Sequence, residues 1–424
     1  MKALSFDHSA IADEETGSAK SASCPFMLGY RKHSFARAHA LLQTLRTNLG
    51  DLATLKELQK LLIQEIVRAE AKVRELKIEL MAIKGAPDGA AAGRSSFLEK
   101  RIEGYRQCAY IWRCFGDGIA FLYMDKFALK QSFYNTENSN AKQHAGFIAG
   151  KSGLANELAM LDSAFEHNIP AVLVDLTNTI RHGDICLMGA SDPCLIEVKS
   201  SKKLDRRGKK QKRSLEKLHA FYETDKAEGL RGYSDVRRVA YQMPEHTHVD
   251  QINECIVEAL KEGYAVRQPE RGLTYIVISQ HGSGLNNIME RLKLKAPWVF
   301  FLNEVKSTRA WAPYLPFILT IEAGDHLWNF IRGNLCIFVL IEVDALCQIA
   351  LDKGYQAEFD RDDEDYPLRV RIPGFDGMPG ISRHMLARMG MEFVSPRWVM
   401  QASIEMLEGA FEAVKAEHCG VSSA

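Results

Sequence analysis

The stretch "RHGDICLMGASDPCLIEVKSSKK", residues 181–203, predicts a β-hairpin that carries charged side chains. Apolar residues recur at every second position on both sides of the turn "GASDP", which is the period of a β-strand. Pairing Ile185 with Ile196 makes one face of the hairpin apolar. The same register places Asp184 directly opposite Glu197. We therefore expect burial of the apolar face to select the register that brings these two carboxylates together.

The paired carboxylates of this hairpin need a cation, because two carboxylates a few ångströms apart resist ionisation unless a positive charge lies between them. Hard oxygen ligands suit Mg²⁺ or Mn²⁺, with water and a substrate phosphate completing the coordination. We predict Asp184 and Glu197 as metal ligands, with the backbone carbonyl of Val198 as a further candidate. Lys199, on the same face as Glu197, is expected to orient or deprotonate a water molecule, or to stabilise negative charge in the transition state.

A third carboxylate precedes the hairpin on an amphipathic helix predicted over 153–167. Glu157 falls within the apolar stripe of this helix, between Leu154 and Leu161. Burial of an unpaired Glu is costly, and metal coordination, direct or through water, is one reason for this placement. The alternative is a Glu at the edge of the stripe whose carboxylate reaches solvent. The spacing alone does not separate the two.

These residues together resemble the PD-(D/E)XK nuclease superfamily, which has a Glu-bearing helix, an Asp at a strand start and an "IEVK"-like strand, here Glu157, Asp184 and 196–199. The resemblance covers 153–242. It implies an α/β fold with a restriction-endonuclease-like core, a mixed sheet flanked by helices. The matching elements are the helix 153–167, the strands 171–175, 184–188 and 194–199, the helix 211–226 and the strand 236–241.

The resemblance also assigns roles to individual residues. Asp184, Glu197 and Glu157 would be catalytic residues and metal ligands, and Lys199 would be a catalytic lysine. Gly183 stands where the family name has proline, which is a common departure. The family mostly cuts DNA, so the resemblance favours DNA over RNA, and a bacterial restriction or phage-defence setting follows by association.

A basic segment follows the hairpin directly. Residues 199–217 contain ten Lys or Arg side chains against two acidic ones, whereas the whole chain has 54 of each sign. Such runs are often merely solvated, but beside a carboxylate site they favour contact with nucleic acid phosphates. The predicted nucleic-acid-binding residues are Lys202, Lys203, Arg206, Arg207, Lys209, Lys210, Lys212 and Arg213.

The rest of the chain divides by composition. We predict a disordered tail over 1–30, a helical coiled-coil region over 31–84, a linker over 85–96, a helical platform over 97–152, the nuclease-like core over 153–242, and a C-terminal α/β region over 243–424. Apolar residues at alternating spacings of four and three form a heptad seam in the second region. The helix that carries the seam is expected to pair with the helix before it or with a second chain, as a homodimer or through a partner protein.

Three shorter segments also lead to predictions. Gly116-Asp117-Gly118 is interpreted as a helix break and not as a phosphate loop. "GFIAGKSG" at 146–153 lacks the glycine spacing of a phosphate-binding loop and follows no strand, so we do not expect an NTPase. "FILTI" at 317–321 is expected to be one of several buried strands in the C-terminal region.

The composition predicts a soluble cytoplasmic protein. Nine cysteines occur without a C-x-x-C pair, which is typical of reduced thiols, and the longest apolar run, 335–343, is too short to cross a membrane. The predicted function is a metal-dependent nuclease, an endonuclease by preference, with Mg²⁺ or Mn²⁺ as cofactor and DNA as partner. The alternative is a catalytically inactive nuclease-like scaffold that binds nucleic acid or docks proteins.

Overall fold

The computed structural model describes residues 29–84, 91–144, 146–198, 206–279, 284–294, 296–308 and 314–421, so most of the predicted disordered tail lies outside the described residues. The fold is mixed α/β, with many helices and small sheets, as the general fold class predicted from the sequence requires. Its helices are α1 (Lys32–Thr47), α2 (Leu52–Lys84), α3 (Ala91–Tyr123), α4 (Lys126–Gln131), α5 (Leu154–Glu166), α6 (Arg206–Thr224), α7 (Val249–Glu262), α8 (Leu285–Leu292), α9 (Leu302–Thr308), α10 (Phe317–Thr320), α11 (Gly324–Arg332), α12 (Val343–Leu351), α13 (Arg383–Met391) and α14 (Pro396–Val421). Its strands are β1 (Ala171–Leu173), β2 (Ile185–Leu187), β3 (Cys194–Ile196), β4 (Lys226–Ala227), β5 (Val236–Arg237), β6 (Tyr264–Glu270), β7 (Leu273–Ser279), β8 (Trp298–Phe301), β9 (Leu335–Ile341), β10 (Gln356–Phe359), β11 (Leu368–Arg371) and β12 (Gly380–Ile381).

The predicted heptad seam of α2 is buried within the chain. Its buried positions are Leu62, Ile66, Ala69, Val73 and Leu76. α2 packs chiefly against α3, and α1 packs on both helices. The predicted pairing with the preceding helix is present, since α1 packs on α2, but the main partner within the chain is the helix that follows. Pairing with a second chain stays a prediction. Helix α3 already begins at Ala91, inside the predicted linker over 85–96.

Helix α3 runs unbroken through Gly116-Asp117-Gly118, so the predicted break at these residues is wrong. A Cβ on Gly116 would lie 1.9 Å from the carbonyl oxygen of Leu176, so a glycine is needed for the helix to approach the segment that follows β1. The Asp117 carboxylate, which is buried, accepts hydrogen bonds from the backbone N–H groups of Asn178 and Thr179, each at 2.8 Å. The close approach at Gly116 and the hydrogen bonds of Asp117 outweigh the low helix propensity of the two glycines.

The central sheet has the order β1-β2-β3, with α5 before it and α6 after it in the chain. Its hairpin has the predicted register, because Ile185 pairs with Ile196. Apolar side chains on the opposite face, the one that carries Asp184, are also buried. Cys186 and Leu195, on the opposite face, are fully buried, and the Cys186 sulfur lies 3.7 Å from the sulfur of Met124 at the end of α3. On the predicted apolar face Ile185 is buried, Leu187 and Ile196 are partly buried, and Cys194 is exposed.

The strand predicted over 236–241 does not complete this sheet. Only Val236–Arg237 forms a strand, and it pairs with Lys226–Ala227 in a separate ladder. The chain reverses at Asp225, which has a positive φ of 58°, directly after α6, so a long parallel crossover back to β3 is not made. Every strand pairing among the described residues is antiparallel, which also corrects the predicted mixed sheet.

The C-terminal region contains a four-stranded sheet of order β6-β7-β9-β8 and a smaller one of order β10-β11-β12. Segment 317–321, predicted as a strand, instead forms the short helix α10 after Pro316. A buried ion-pair cluster ties this region to the chain before α7: Arg388 on α13 pairs with Glu392 at 2.8 Å and with Glu245 at 2.6 Å. In the part of the chain that the structure describes, no helix combines the length and apolar character needed to cross a bilayer.

The free edge of β1 is covered by a side chain from α2. Gln59 is buried; its side-chain nitrogen donates to the carbonyl of Ala171 at 2.9 Å, and its side-chain oxygen accepts from the N–H of Leu173 at 3.1 Å. The amide thus supplies the hydrogen bonds that another strand would make. The N-terminal helices are therefore built into the central sheet.

We expect the substitution Gln59→Leu to lower the free energy of unfolding by about 2 to 4 kcal/mol, because it leaves one buried carbonyl and one buried N–H of β1 without partners. Urea unfolding followed by circular dichroism measures this. The matched control is Gln64→Leu on an exposed position of the same helix, expected to change stability by about 0.5 kcal/mol or less. Equal stability of the two variants would show that Gln59 does not hold the sheet edge.

Candidate active site

The segment before α5 is fixed to the N-terminal helices by its backbone. The buried Glu70 carboxylate on α2 accepts a hydrogen bond from the N–H of Ala149 at 2.9 Å, and Arg74 donates to the carbonyl of the same residue. Gly150 then adopts a positive φ of 72°, a conformation that glycine reaches without strain. Together these contacts determine where the side chain of Lys151 begins.

Lys151 lies among three carboxylates. Its ammonium nitrogen is 2.9 Å from Oε1 of Glu157, 2.8 Å from Oδ2 of Asp175 and 3.3 Å from Oδ1 of Asp184. The Glu157 side chain is almost fully buried, so this carboxylate depends on its pairing with the lysine. The Glu157 side chain is therefore buried, and the alternative of a carboxylate that reaches solvent is excluded.

The three carboxylates come from three different elements that meet at one end of the sheet. Glu157 lies in the first turn of α5, Asp175 in the helical turn that follows β1, and Asp184 immediately before β2. Because neighbouring strands are antiparallel, the end of β1 and the start of β2 coincide, as the pairing of Leu173 with Ile185 shows. Topology alone thus brings Asp175 and Asp184 to the same place.

Two of the acidic residues, Asp184 and Asp175, are also held by contacts that involve backbone groups. The N–H of Val198 donates to Oδ2 of Asp184 at 2.9 Å, and the Asp184 N–H donates to the carbonyl of Ile196 at 2.7 Å. The carbonyl of Asp175 accepts from the Arg113 guanidinium on α3 at 2.8 Å. Asp175 and Asp184 therefore keep their positions through contacts that do not involve Lys151.

The electrostatics of the cluster follow from burial and pairing. Burial alone would lower the pKa of Lys151, but its hydrogen bonds to Asp175 and Glu157 outweigh that effect and raise it above its ordinary value. Burial raises the pKa of Glu157, and the nearby Lys151 ammonium offsets only part of the increase. Lys151 therefore stays a cation over the whole physiological pH range.

The other predicted site residues have mixed outcomes. Glu197 follows β3, at the same end of the sheet, and is partly buried. Val198, predicted to offer its carbonyl, uses its N–H to hold Asp184. Lys199, Lys202 and Lys203 lie outside the described residues.

Neither Lys151 nor Asp175 is predicted from the sequence as a site residue. A signal for Asp175 exists, because it ends the apolar run "AVLVDL" and so resembles the carboxylate at the start of β2. Lys151 gives no comparable signal. It stands in a glycine-containing loop, and only the tertiary contacts of Ala149 direct it to the sheet.

The donor chemistry fits a hard divalent cation, because Glu157, Asp175 and Asp184 offer only carboxylate oxygens. In this structure the three carboxylates bind the Lys151 ammonium. Within the described residues, no group of three or more His, Cys, Asp or Glu side chains is positioned to hold a metal ion as it stands. Metal binding would thus require these side chains to close around an ion in place of the Lys151 nitrogen.

The basic residues that the structure describes lie on the helix that follows β3. α6 buries Leu215, Leu218 and Phe221 against the core. Its first two turns expose a set of side chains that we call the basic face: Arg206, Lys209, Lys210, Lys212 and Arg213. Arg207 belongs to the same turns, but its side chain is outside the described part.

Comparisons with models of known protein families, with curated proteins and with solved structures found no match for this chain. The resemblance to the PD-(D/E)XK superfamily therefore rests on the residues and contacts of this chain alone.

We expect Gly183→Ala to destabilise the protein by about 1 to 3 kcal/mol. Gly183 has a positive φ of 77°, and a Cβ there would lie 2.8 Å from the Ile196 carbonyl oxygen. The added methyl group would push Asp184 away from β3. Urea unfolding measures the loss, and Gly189→Ala in the hairpin turn, where the nearest atom to an added Cβ is 4.0 Å away, is the control. Equal losses in both variants would contradict this account of Gly183.

Proposed function

We propose that this protein is a metal-dependent nuclease that hydrolyses phosphodiester bonds, with DNA as its expected substrate. The observation that carries the proposal is the convergence of Glu157, Asp175 and Asp184 on one cation at the end of the central sheet. Strand β3 ends at this site, and α6, which carries the basic face, begins ten positions after Ile196, at Arg206. A carboxylate cluster beside a phosphate-binding surface suits phosphodiester hydrolysis.

The residues divide into two tasks. Asp175 and Asp184 would hold a Mg²⁺ or Mn²⁺ ion, with Glu157 and Glu197 as further carboxylates. Bound there, the ion would supply an activated water molecule and stabilise the charge that develops on the phosphate. Lys199, by the family resemblance, would orient that water. The basic face would hold the nucleic acid backbone, which positions the substrate without reading its sequence.

A second candidate function is a catalytically inactive scaffold that binds nucleic acid or docks proteins. The observation in its favour is Lys151, which already pairs with the carboxylates and so completes the cluster as a structural element. The N-terminal helices are the predicted surface for a second copy or a partner protein. On α2, Ile78 and Met81 are each 70% exposed, which leaves apolar side chains available there.

The carboxylates can be tested by plasmid cleavage with Mg²⁺ or Mn²⁺. We expect Asp175→Asn and Asp184→Asn each to lower the cleavage rate by on the order of 100-fold, because each removes a charged ligand from the reacting centre. Asp162→Asn, at an exposed carboxylate of α5 paired with Lys56, is the control and should cleave as the wild type does. Absence of cleavage by the wild type over a broad salt range, or undiminished cleavage by the two variants, would favour the scaffold.

The basic face has a separate test in binding assays at several salt concentrations. Replacement of Lys209, Lys210, Lys212 and Arg213 by Gln should weaken DNA binding. It should also reduce the slope of log K against log salt by about 0.9 for each side chain that contacts a phosphate.

The control for the basic face is a second fourfold Gln variant with the same change in charge. It replaces exposed lysines of the N-terminal helices: Lys32, Lys60, Lys72 and Lys100. We expect this variant to keep the wild-type slope. If the slope of log K against log salt falls equally in both variants, the effect comes from net charge and α6 is not the interface.

A further inference from the structure

Lys151 is the most accessible member of the four-residue cluster. Its side chain is 28% exposed, whereas those of Glu157, Asp175 and Asp184 are 3%, 12% and 17% exposed. The backbone before it is fixed at both polar groups of Ala149, but the lysine side chain has four rotatable bonds beyond that anchor. The ammonium can therefore leave the cluster toward solvent without a backbone movement.

The carboxylates cannot leave in the same way. Asp184 is held by the N–H of Val198, and the Asp175 backbone is held by Arg113. Glu157 lies on α5 with its side chain almost fully buried. Lys151 therefore has the freest path to solvent in this cluster, because Glu157 and Asp175 are more buried and Asp184 is tied to the backbone after β3.

The charges of the cluster do not balance. Within the four described side chains, three carboxylates and one ammonium give a formal charge of −2. A divalent cation matches three carboxylates better than one ammonium does. The oxygens lie 2.8 to 3.3 Å from the lysine nitrogen, and Mg²⁺ holds its oxygens at about 2.1 Å, so a short contraction of the same ligand set would suffice.

We propose that Lys151 is an internal counter-ion that gives up the three carboxylates when a divalent cation binds, so that this lysine sets the metal concentration at which the site is loaded. This inference rests on the proposed metal-dependent function and adds to it a way in which metal binding is regulated. At low metal concentration Lys151 keeps the carboxylates together and the fold intact. After exchange, its ammonium remains within a side chain's length of the site because its backbone stays anchored.

The test is Mn²⁺ binding by the purified full-length chain, measured by calorimetry and by electron paramagnetic resonance of the free ion. We expect Lys151→Met to bind Mn²⁺ at least tenfold more tightly than the wild type, because the competing cation is gone. The control is Lys56→Met, which removes a lysine paired at 2.6 Å with the exposed Asp162 and should bind Mn²⁺ as the wild type does. Equal or weaker binding by Lys151→Met would overturn the proposal.

A second measurement protects the test against misfolding. In EDTA, Lys151→Met should melt at a lower temperature than the wild type, because three carboxylates are left without a cation. Mn²⁺ should raise its melting temperature more than that of the wild type. Should Lys151→Met not fold, Lys151→Gln, which keeps a hydrogen-bond donor and loses the charge, takes its place with the same expected order of affinities. A melting temperature that Mn²⁺ leaves unchanged in a folded variant would count against the exchange.

The outcomes separate this inference from the proposed function. Cleavage by the wild type together with unchanged Mn²⁺ affinity in Lys151→Met would overturn the exchange alone. Tighter Mn²⁺ binding in Lys151→Met with no cleavage by the wild type would support the exchange and overturn the nuclease. If neither protein binds Mn²⁺, both proposals fail.

Discussion

The convergence of three acidic side chains at one end of a short sheet is the constraint on which the rest of the structure depends. Antiparallel pairing places the end of β1 beside the start of β2, so Asp175 and Asp184 meet whatever their neighbours are. Like charges in a partly buried place raise the free energy of the fold unless a cation joins them. Lys151 meets this need, and much of the surrounding structure serves to bring that lysine to the sheet.

The N-terminal helices carry out this positioning. Glu70 on α2 binds both the N–H of Ala149 and, at 2.8 Å, the guanidinium of Arg113 on α3. Arg113 in turn holds the carbonyl of Asp175. A single buried ion pair thus connects the segment that carries Lys151 to the segment that carries one of its partners.

The same helices stabilise the sheet itself. Three strands of three residues each are too short to be stable alone, and Gln59 of α2 closes their open edge. Glycine at position 116 allows α3 to reach the turn after β1. The helical region predicted over 31–84 is therefore part of the framework of the site, and a truncation that removes it would remove contacts to Ala149 and β1 together.

Local patterns predicted the local features of this fold. The alternation around "GASDP" predicted the register of Ile185 with Ile196. The helical stripe predicted that Glu157 lies among apolar positions, and the structure shows that its side chain is buried. Both depend on residues that are neighbours in the chain. The burial of Cys186 on the other face involves Met124 at the end of α3, a distant segment that the alternation within the hairpin does not indicate.

The features that were missed depend on tertiary contacts. The strand expected over 236–241 is short because the chain reverses at Asp225, and the seam of α2 faces the helix that follows. Asp175 could have been suspected from its position at the end of an apolar run. Lys151 could not, because its direction is set by two side chains of α2 that lie about seventy-five positions earlier in the chain.

The distribution of charged side chains also bears on the order in which a cation and a substrate would bind. Under the proposed function, a nucleic acid would be attracted to the basic face of α6 and repelled by the carboxylates at the end of the sheet. Among the described side chains of the cluster, Lys151 supplies one positive charge against three carboxylates. Under the proposed function, a phosphodiester would enter once added positive charge had neutralised the carboxylates. The proposals therefore imply that a cation binds before the substrate, with the release of Lys151 as the step that opens the site.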